Sequence, residues 1–325
     1  MQTSEVLPLA REEKTPKPSL ARTARIGERI AEGAVKLVAL TSIAAVLLIL
    51  VFVGKEALPL LFSAEVHKEV TPGALISVPG HVWQPVSETP KYDVLPLFVG
   101  SLKVTLVALF FAVPLSVAAA IFVAEYAPKK IREWIKPAIE LLAGVPSVVV
   151  GFFALVVMAS WVQRVFGTEH RLNTLVAGIG LSFAICPVVF TVAEDALRAV
   201  PGSYRAAAMA LGSTPSTTLA RVILPAAAPG IAAAIVLGFG RAVGETMIVI
   251  LATGNAAILD GSLGHSTRTI TATIAQELGE VVVGSPHYRV LFALGAILFL
   301  ITFGVNFLGE RVVMGMRRKL AGAPK

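Results

Sequence analysis

The stretch LRAVPGSYRAAAMALGSTPSTTLARVILPAAAPGI, residues 197–231, decides how the rest of the chain is read. It lies between two long apolar runs. Ala206, Ala207, Ala208 and Ala210 are strong helix formers with little bulk, so 204–211 reads as a short helix with a flat face. Ser203 is placed to cap its start, and Gly212 to end it. Ser213 then opens a second short helix through Thr218, with Pro215 in its first turn. Leu224-Pro225 and Pro229 follow as the apolar run resumes. The expected element is a helix–turn–helix held in a loop. Its small, flat face suits docking into a cleft on another protein, and equally a plain surface connector.

The flanking runs supply the context. Of 325 residues, 55% are hydrophobic and 15% charged, against about 25% charged in an ordinary soluble domain. Mean hydropathy is +0.78. A chain this apolar cannot cover itself with polar surface, which excludes a soluble globular fold. Crossing a bilayer takes about 20 mostly apolar residues. Six runs qualify: 35–53, 94–124, 137–162, 175–192, 223–254 and 288–312. The expected class is therefore an all-α polytopic membrane protein with about six transmembrane helices.

The basic residues orient it. With the N-terminus inside, the cytoplasmic pieces are 1–34, 125–136, 193–222 and the tail after Val312, counted with Arg311 at its edge. They hold 18 of the 28 Lys/Arg. The external pieces hold six: Lys55, Lys68, Lys91, Arg164, Arg171 and Arg268. Lys and Arg gather in cytoplasmic loops, so both termini are expected inside. The domains follow: a cytoplasmic tail over 1–34, with 1–20 read as disordered; a first retained helix over 35–54; an external loop over 55–93; a core of five spans over 94–312, enclosing the cytoplasmic loop 197–222; and a tail over 313–325. The formal charge of +7 thus marks orientation rather than nucleic acid. The single cysteine, Cys186, lies in an apolar run and reads as a small buried hydrophobe.

Arg241 and Glu245 lie within the fifth apolar run. At i and i+4 of one helix they share a face, and a charge at the bilayer centre costs at least about 2.5–3.5 kcal/mol on insertion scales. Glu245 reaching back to Arg241 is the simplest pairing, serving either bundle stability or a passage or gate. Lys103 is read as snorkelling to the interface, Asn306 as a helix–helix contact, and Gly238 and Gly240 as sites of close packing. Gly144-Val145-Pro146-Ser147 should kink the third span. Glu277 and Glu280 read as solvated charges. His265 and His287 have no ligand spacing in sequence, so no metal site is expected. Gly54-Lys55 lacks the upstream glycine of a phosphate-binding loop, so the chain cannot hydrolyse ATP alone. No convergent acid, base or metal set points to an enzyme.

The 197–231 stretch resembles the loop in membrane subunits of ABC importers, whose pattern is Glu-Ala-Ala, three residues, Gly, nine residues, Ile, any residue, Leu-Pro. Ala206-Ala207-Ala208, Gly212, Val222, Leu224 and Pro225 fall at that spacing. Ala206 stands where the family has Glu, and Val222 where it has Ile. The resemblance implies an ABC type I importer permease fold. It also makes Ser203, Tyr204, Arg205, Ala206, Ala207, Ala208, Gly212, Leu224 and Pro225 part of a coupling helix and its return, seated on an ATPase subunit. Four further stretches are similar to permeases of the phosphate-specific (Pst) system: Glu125-Tyr126-Ala127-Pro128; 142–149, LAGVPSVV; 241–247, RAVGETM; and 269–275, TITATIA. Glu245-Thr246-Met247 before Ala252-Thr253-Gly254-Asn255, and the long first external loop, resemble the PstC side.

That resemblance implies a bacterial inner-membrane location and phosphate as substrate. The implied partners are a second permease of PstA type, two ATPases of PstB type that use the ATP, an external phosphate-binding protein of PstS type, and membrane lipid. It implies no cofactor on this chain, and Arg241 and Glu245 at the passage. A permease for sulfate or molybdate, and an ion-coupled secondary transporter, are the competing readings.

Overall fold

Long apolar runs become helices because a helix satisfies every backbone N–H and C=O within one segment, as a bilayer demands. The computed structural model describes residues 26–76 and 81–320. Most of the expected N-terminal tail and the last residues of the C-terminal one lie outside them. The chain divides into two units, which meet at Ile49 and Leu50. In the first, residues 26–49 are helical and carry an exposed Glu32–Lys36 pair at 2.7 Å. They belong to α1 (Ile26–Ala57).

The second unit continues with the end of α1, α2 (Pro59–Phe62), α3 (Ala64–His67) and a 3₁₀ turn at Pro72–Leu75. Strands β1 (Trp83–Gln84) and β2 (Lys91–Tyr92) pair antiparallel, Trp83 opposite Tyr92. The helices that follow are α4 (Leu95–Ile121), α5 (Lys129–Ala143), α6 (Ser147–Phe153), α7 (Ala159–Phe166), α8 (Thr174–Arg198), α9 (Gly202–Ala210), α10 (Pro215–Thr218), α11 (Leu224–Val243), α12 (Met247–Ala252), α13 (Ile270–Glu277) and α14 (Pro286–Leu320). Three π-helical turns, Phe122–Tyr126, Ala154–Met158 and Leu219–Ile223, extend or join them. Six stretches are long and apolar enough to cross a membrane: Arg29–Phe62, Leu95–Tyr126, Ser147–Phe166, Thr174–Arg198, Pro215–Val243 and Pro286–Arg318. The protein is multi-pass.

Helix α8 is the centre of the bundle, packed by α4, α11, α6 and α12. Its Leu181, Ile185, Val189, Phe190, Ala193 and Leu197 are buried. Lipid offers no hydrophobic drive between helices, so close contact depends on small residues. A Cβ on Gly178 would lie 2.4 Å from Val107 Cγ1, and one on Gly238 2.7 Å from Val189 Cγ2. Gly240 faces the Asn306 side chain, where a Cβ would sit 3.4 Å from Oδ1. Phe110, Leu115, Phe152 and Trp161 point outward, as a lipid-facing surface allows.

Two expected spans are divided. The third does not run through 137–162. Helix α5 ends at Ala143, Gly144 and Val145 are not helical, and α6 starts after Pro146. Pro146 offers no N–H and steers Val145 off the helical region, which separates α5 from the span. The fifth run, 223–254, also breaks: α11 stops at Val243, and α12 begins at Met247.

Candidate functional site

At the end of the bundle that carries α9, the sequence folds as a helix–turn–helix with different caps from those expected. Pro201, not Ser203, precedes α9, and Ser203 lies in its first turn. Gly212 adopts φ +84°, a backbone that glycine alone enters freely. Its N–H bonds Met209 O at 2.9 Å, and Ser213 N–H bonds Ala208 O at 3.1 Å. This pair of bonds is a Schellman closure. Ser213 is consumed by it, so Thr214 caps α10 instead, its Oγ1 accepting from Thr217 N at 3.3 Å. Pro215 occupies the first turn as expected, and Leu224-Pro225 open α11. Tyr204, Ala206, Ala207 and Met209 are exposed, whereas Ala208 is buried.

Arg205 ties this element to the bundle. Its Nε donates to Glu125 Oε2 at 3.2 Å, and its Nη2 donates to Oε1 of the same carboxylate. Nη1 donates to Val200 O at 3.0 Å and Nη2 to Leu197 O at 3.3 Å. The hydrogen bond to Glu125 pushes the guanidinium pKa up further. Glu125 sits in the π turn that ends the second span. The same turn accepts from Arg132 of α5 at Val123 O (3.0 Å) and Ala124 O (3.1 Å). Buried Glu194 of α8 pairs with Arg198 at 2.6 Å and Lys136 of α5 at 3.3 Å. Arg205 thus binds α9 to the π turn after α4 by an ion pair and to the end of α8 through carbonyls, and α5 is bound to that turn and to α8. An acid from this turn, Glu125, reaches Arg205, the residue next to Ala206.

Arg241 and Glu245 are not the ion pair expected. Arg241 Nε donates to Ala184 O at 3.1 Å, near the middle of α8. Glu245 lies beyond the helix end, where Oε1 accepts from Thr246 N and Met247 N at 3.1 Å each and from Ile248 N at 3.5 Å. The reason is local. Once α11 stops, the first amides of α12 lack partners, and a carboxylate is favoured at a helix N-terminus. Thr271 Oγ1 donates to Glu245 O at 2.9 Å, which fixes the break from α13. Among the described residues, Arg241 has no acidic partner, and it is exposed on this chain.

The opposite end holds charges misjudged from sequence. Glu277 is not solvated: only 14% of its side chain is exposed. It accepts from Trp83 Nε1 (3.1 and 3.2 Å), lies 2.9 Å from His287 Nε2 and pairs with Arg268 at 2.8 Å. Burial alone would raise its pKa, but the hydrogen bonds from His287 and Trp83 and the Arg268 charge outweigh it and hold the carboxyl below its ordinary range. Glu280 is exposed, as read. Lys103 does not snorkel; it pairs with Asp260 at 2.9 Å. Tyr92 donates to Glu69 at 2.7 Å, and burial, with Glu69 beside it, drives its pKa up.

The helix–turn–helix is thus tied to the ends of the second and fourth spans, and Arg241 meets a carbonyl of α8, with no acidic partner among the described residues. Residues 94–318 match the family described as the binding-protein-dependent transport system inner membrane component. The chain belongs to this family. It is a multi-pass inner-membrane transport subunit rather than an enzyme. A probable ABC transporter permease protein of Bacillus subtilis, YqgH, is 37% identical over 222 residues, covering 68% of this chain and 72% of that one. The phosphate transport system permease protein PstC of Mesorhizobium japonicum is 32% identical, covering 84% and 88%. PstC 1 of Mycobacterium tuberculosis is 33% identical, covering 70% and 74%. Among solved structures, a bacterial alginate ABC transporter chain superposes with a TM-score of 0.58 at 14% identity, over 93% of this permease and all of that chain. The methionine transporter MetNI gives 0.53 at 20% identity, over 68% and 96%. At these identities the structures speak for the fold, the ABC type I importer permease fold.

Proposed function

We propose that this permease is the PstC-type membrane subunit of an ATP-driven importer that passes inorganic phosphate inward across the bacterial cytoplasmic membrane. The observation that carries the reading is Arg241. A charge at mid-bundle costs at least about 2.5–3.5 kcal/mol unless it meets water or protein, yet Arg241 is exposed and Glu245 has turned away to cap α12. Facing a passage, a guanidinium presents planar donors that suit a tetrahedral oxyanion. The relatives named PstC support phosphate as that oxyanion.

The rest of the assembly follows from the two ends. In this reading the end richer in Lys and Arg faces the cytoplasm, with both termini. A PstA-type permease lies against this chain to complete the passage. Two PstB-type ATPases bind and hydrolyse the ATP, and this chain needs no cofactor. One ATPase receives the exposed face of α9, with Ser203, Tyr204, Ala206 and Ala207 as the contact and Arg205 as the anchor behind it. Closure of the ATPases pulls on α9, and the Arg205–Glu125 pair passes the displacement to α4. A PstS-type protein delivers phosphate at the opposite end, where loop 55–93 gathers, and lipid surrounds the outward apolar faces.

Labelled phosphate uptake tests this in a strain lacking the gene. Wild-type chain restores high-affinity uptake, R241A does not, and R241K restores it in part. High-affinity uptake that persists in the deletion strain, or that sulfate or molybdate competes away equally well, overturns the phosphate assignment.

A further inference from the structure

Two histidines about 95 residues apart in sequence, His170 and His265, meet at the end of the bundle opposite α9. His170 lies in the loop between α7 and α8, and His265 in the loop between α12 and α13. Their ring centroids are 5.4 Å apart, edge to face. Glu169 joins them, its Oε2 lying 3.5 Å from His265 Nε2. One donor atom from each of the three residues lies within 4.8 Å of the others. We propose that Glu169, His170 and His265 bind a divalent transition-metal ion, with zinc as the best fit.

Three features of the site support a ligand set. First, the backbone is set before any ion arrives. His170 O accepts from Asn173 Nδ2 at 2.7 Å and from Thr168 Oγ1 at 3.1 Å, while Asn173 Oδ1 caps α8 through Val176 N at 3.0 Å. The other loop is zipped onto the same helix start, with Thr174 N donating to His265 O at 3.2 Å and Leu175 N to Leu263 O at 3.1 Å. Second, His265 has an outer partner. Its Nδ1 hydrogen-bonds Asp260 Oδ2, and Asp260 is in turn held by Lys103 at 2.9 Å. A carboxylate on Nδ1–H leaves the lone pair on Nε2, which is the nitrogen facing Glu169. Metal-ligating histidines almost always have such a partner. Third, the reach is right. Tetrahedral zinc with bonds of about 2.0–2.2 Å separates its donors by about 3.3 Å. The His265–Glu169 distance is already close to that, and Glu169 and His170 are exposed and free to turn the remaining distance. Neighbouring Arg171 is directed away, to Ser160 and Leu155 O.

The donor set selects the ion. Two imidazoles and one carboxylate suit zinc and its transition-metal neighbours, whereas calcium and magnesium prefer oxygen throughout. Three protein ligands leave a fourth position for water or an anion. A bound ion would cross-link the α7–α8 and α12–α13 loops.

The test uses full-length permease, purified in detergent with a tag free of histidine, in phosphate-free buffer. Zinc binding is followed by calorimetry, and cobalt binding by its visible spectrum. The wild type is expected to take up one zinc per chain and give the intense visible bands of a tetrahedral cobalt site. H170A and H265A lower the affinity by about a hundredfold or more, and D260N, which spares all three ligands, by about 10–100-fold. E169Q, a surface change that should not disturb folding, weakens binding as well. H67Q, at a histidine elsewhere, binds as wild type. No uptake by the wild type, or equal uptake by well-folded wild type, E169Q and H265A, overturns the proposal.

Discussion

Breaking the Arg205–Glu125 pair should cost most of what a partly buried ion pair is worth, and the two residues should behave as one unit. The Glu125 side chain is 15% exposed and that of Arg205 28%. Removing one partner of a fully buried pair costs about 3–5 kcal/mol, because the other charge is left without compensation. Exposure and solvent screening lower that figure here, so each of R205A and E125A should destabilise the fold by about 2 kcal/mol. R205A also strips a donor from Val200 O and two hydrogen bonds from the carboxylate, so it should be the worse of the two. In the double variant the second deletion removes a group already orphaned. The double should therefore cost little more than the worse single, with a coupling of about 1–2 kcal/mol, near tenfold in the unfolding equilibrium.

The measurement is unfolding in mixed detergent and SDS micelles, followed by fluorescence of Trp83, Trp134 and Trp161 across the four-protein cycle. The exposed Glu32–Lys36 pair is the control, since exposed i,i+4 pairs contribute little. Strict additivity of R205A and E125A would refute the claim that α9 is anchored to the second span through this contact.

Two further outcomes follow from the packing and the charges. Replacing Gly178 by Val forces a Cβ to within 2.4 Å of Val107. Overpacking of this kind costs about 1–3 kcal/mol, and the same micelle titration should show it, while G33V, with open space around the site, should cost nothing, since valine is the better helix former of the two. The Glu277 carboxyl is held below its ordinary range, so its folded pKa is depressed relative to the unfolded chain. Its stabilisation is therefore present above about pH 4.3 and lost as pH falls through the lower folded value. Melting curves between pH 6 and 3 should show an acid-side loss in the wild type that is flattened in E277Q.

What could be read from the sequence follows the range of the forces involved. The six spans were legible because length and hydropathy act over about 20 residues at once. Gly212 was legible because a left-handed closure requires it. Ser203 and Ser213 were misplaced as caps because any hydroxyl near a helix start qualifies in sequence. Only the backbone decides that Pro201 and Thr214 precede the helices. The interruption at Gly144–Pro146 was legible because proline breaks a helix, though not that the span starts only after it; the break at Gly244–Thr246 spans about one turn, and apolar residues on both sides masked it. Lys103 and Glu277 were misjudged for a different reason. Their partners Asp260 and Trp83 lie far away in sequence, and only tertiary packing brings them together.

The broken fifth span changes what Arg241 and Glu245 can do. On one continuous helix they would neutralise each other, and transport would have to part them against that attraction. In the structure the carboxylate is already occupied by three amides of α12, and its backbone is held by Thr271. Arg241 is held by a single hydrogen bond to a neutral carbonyl, a weaker tie than a carboxylate would give. Among the described residues the cation has no ion pair to lose, as the proposed anion passage asks. The acid acts on backbone order instead, since it starts the helix whose Ile248 packs beside Gly151 and Gly180. An acid-to-amide change at Glu245 should thus loosen α12 while leaving the charge at Arg241 in place. An alanine at Arg241 should do the reverse.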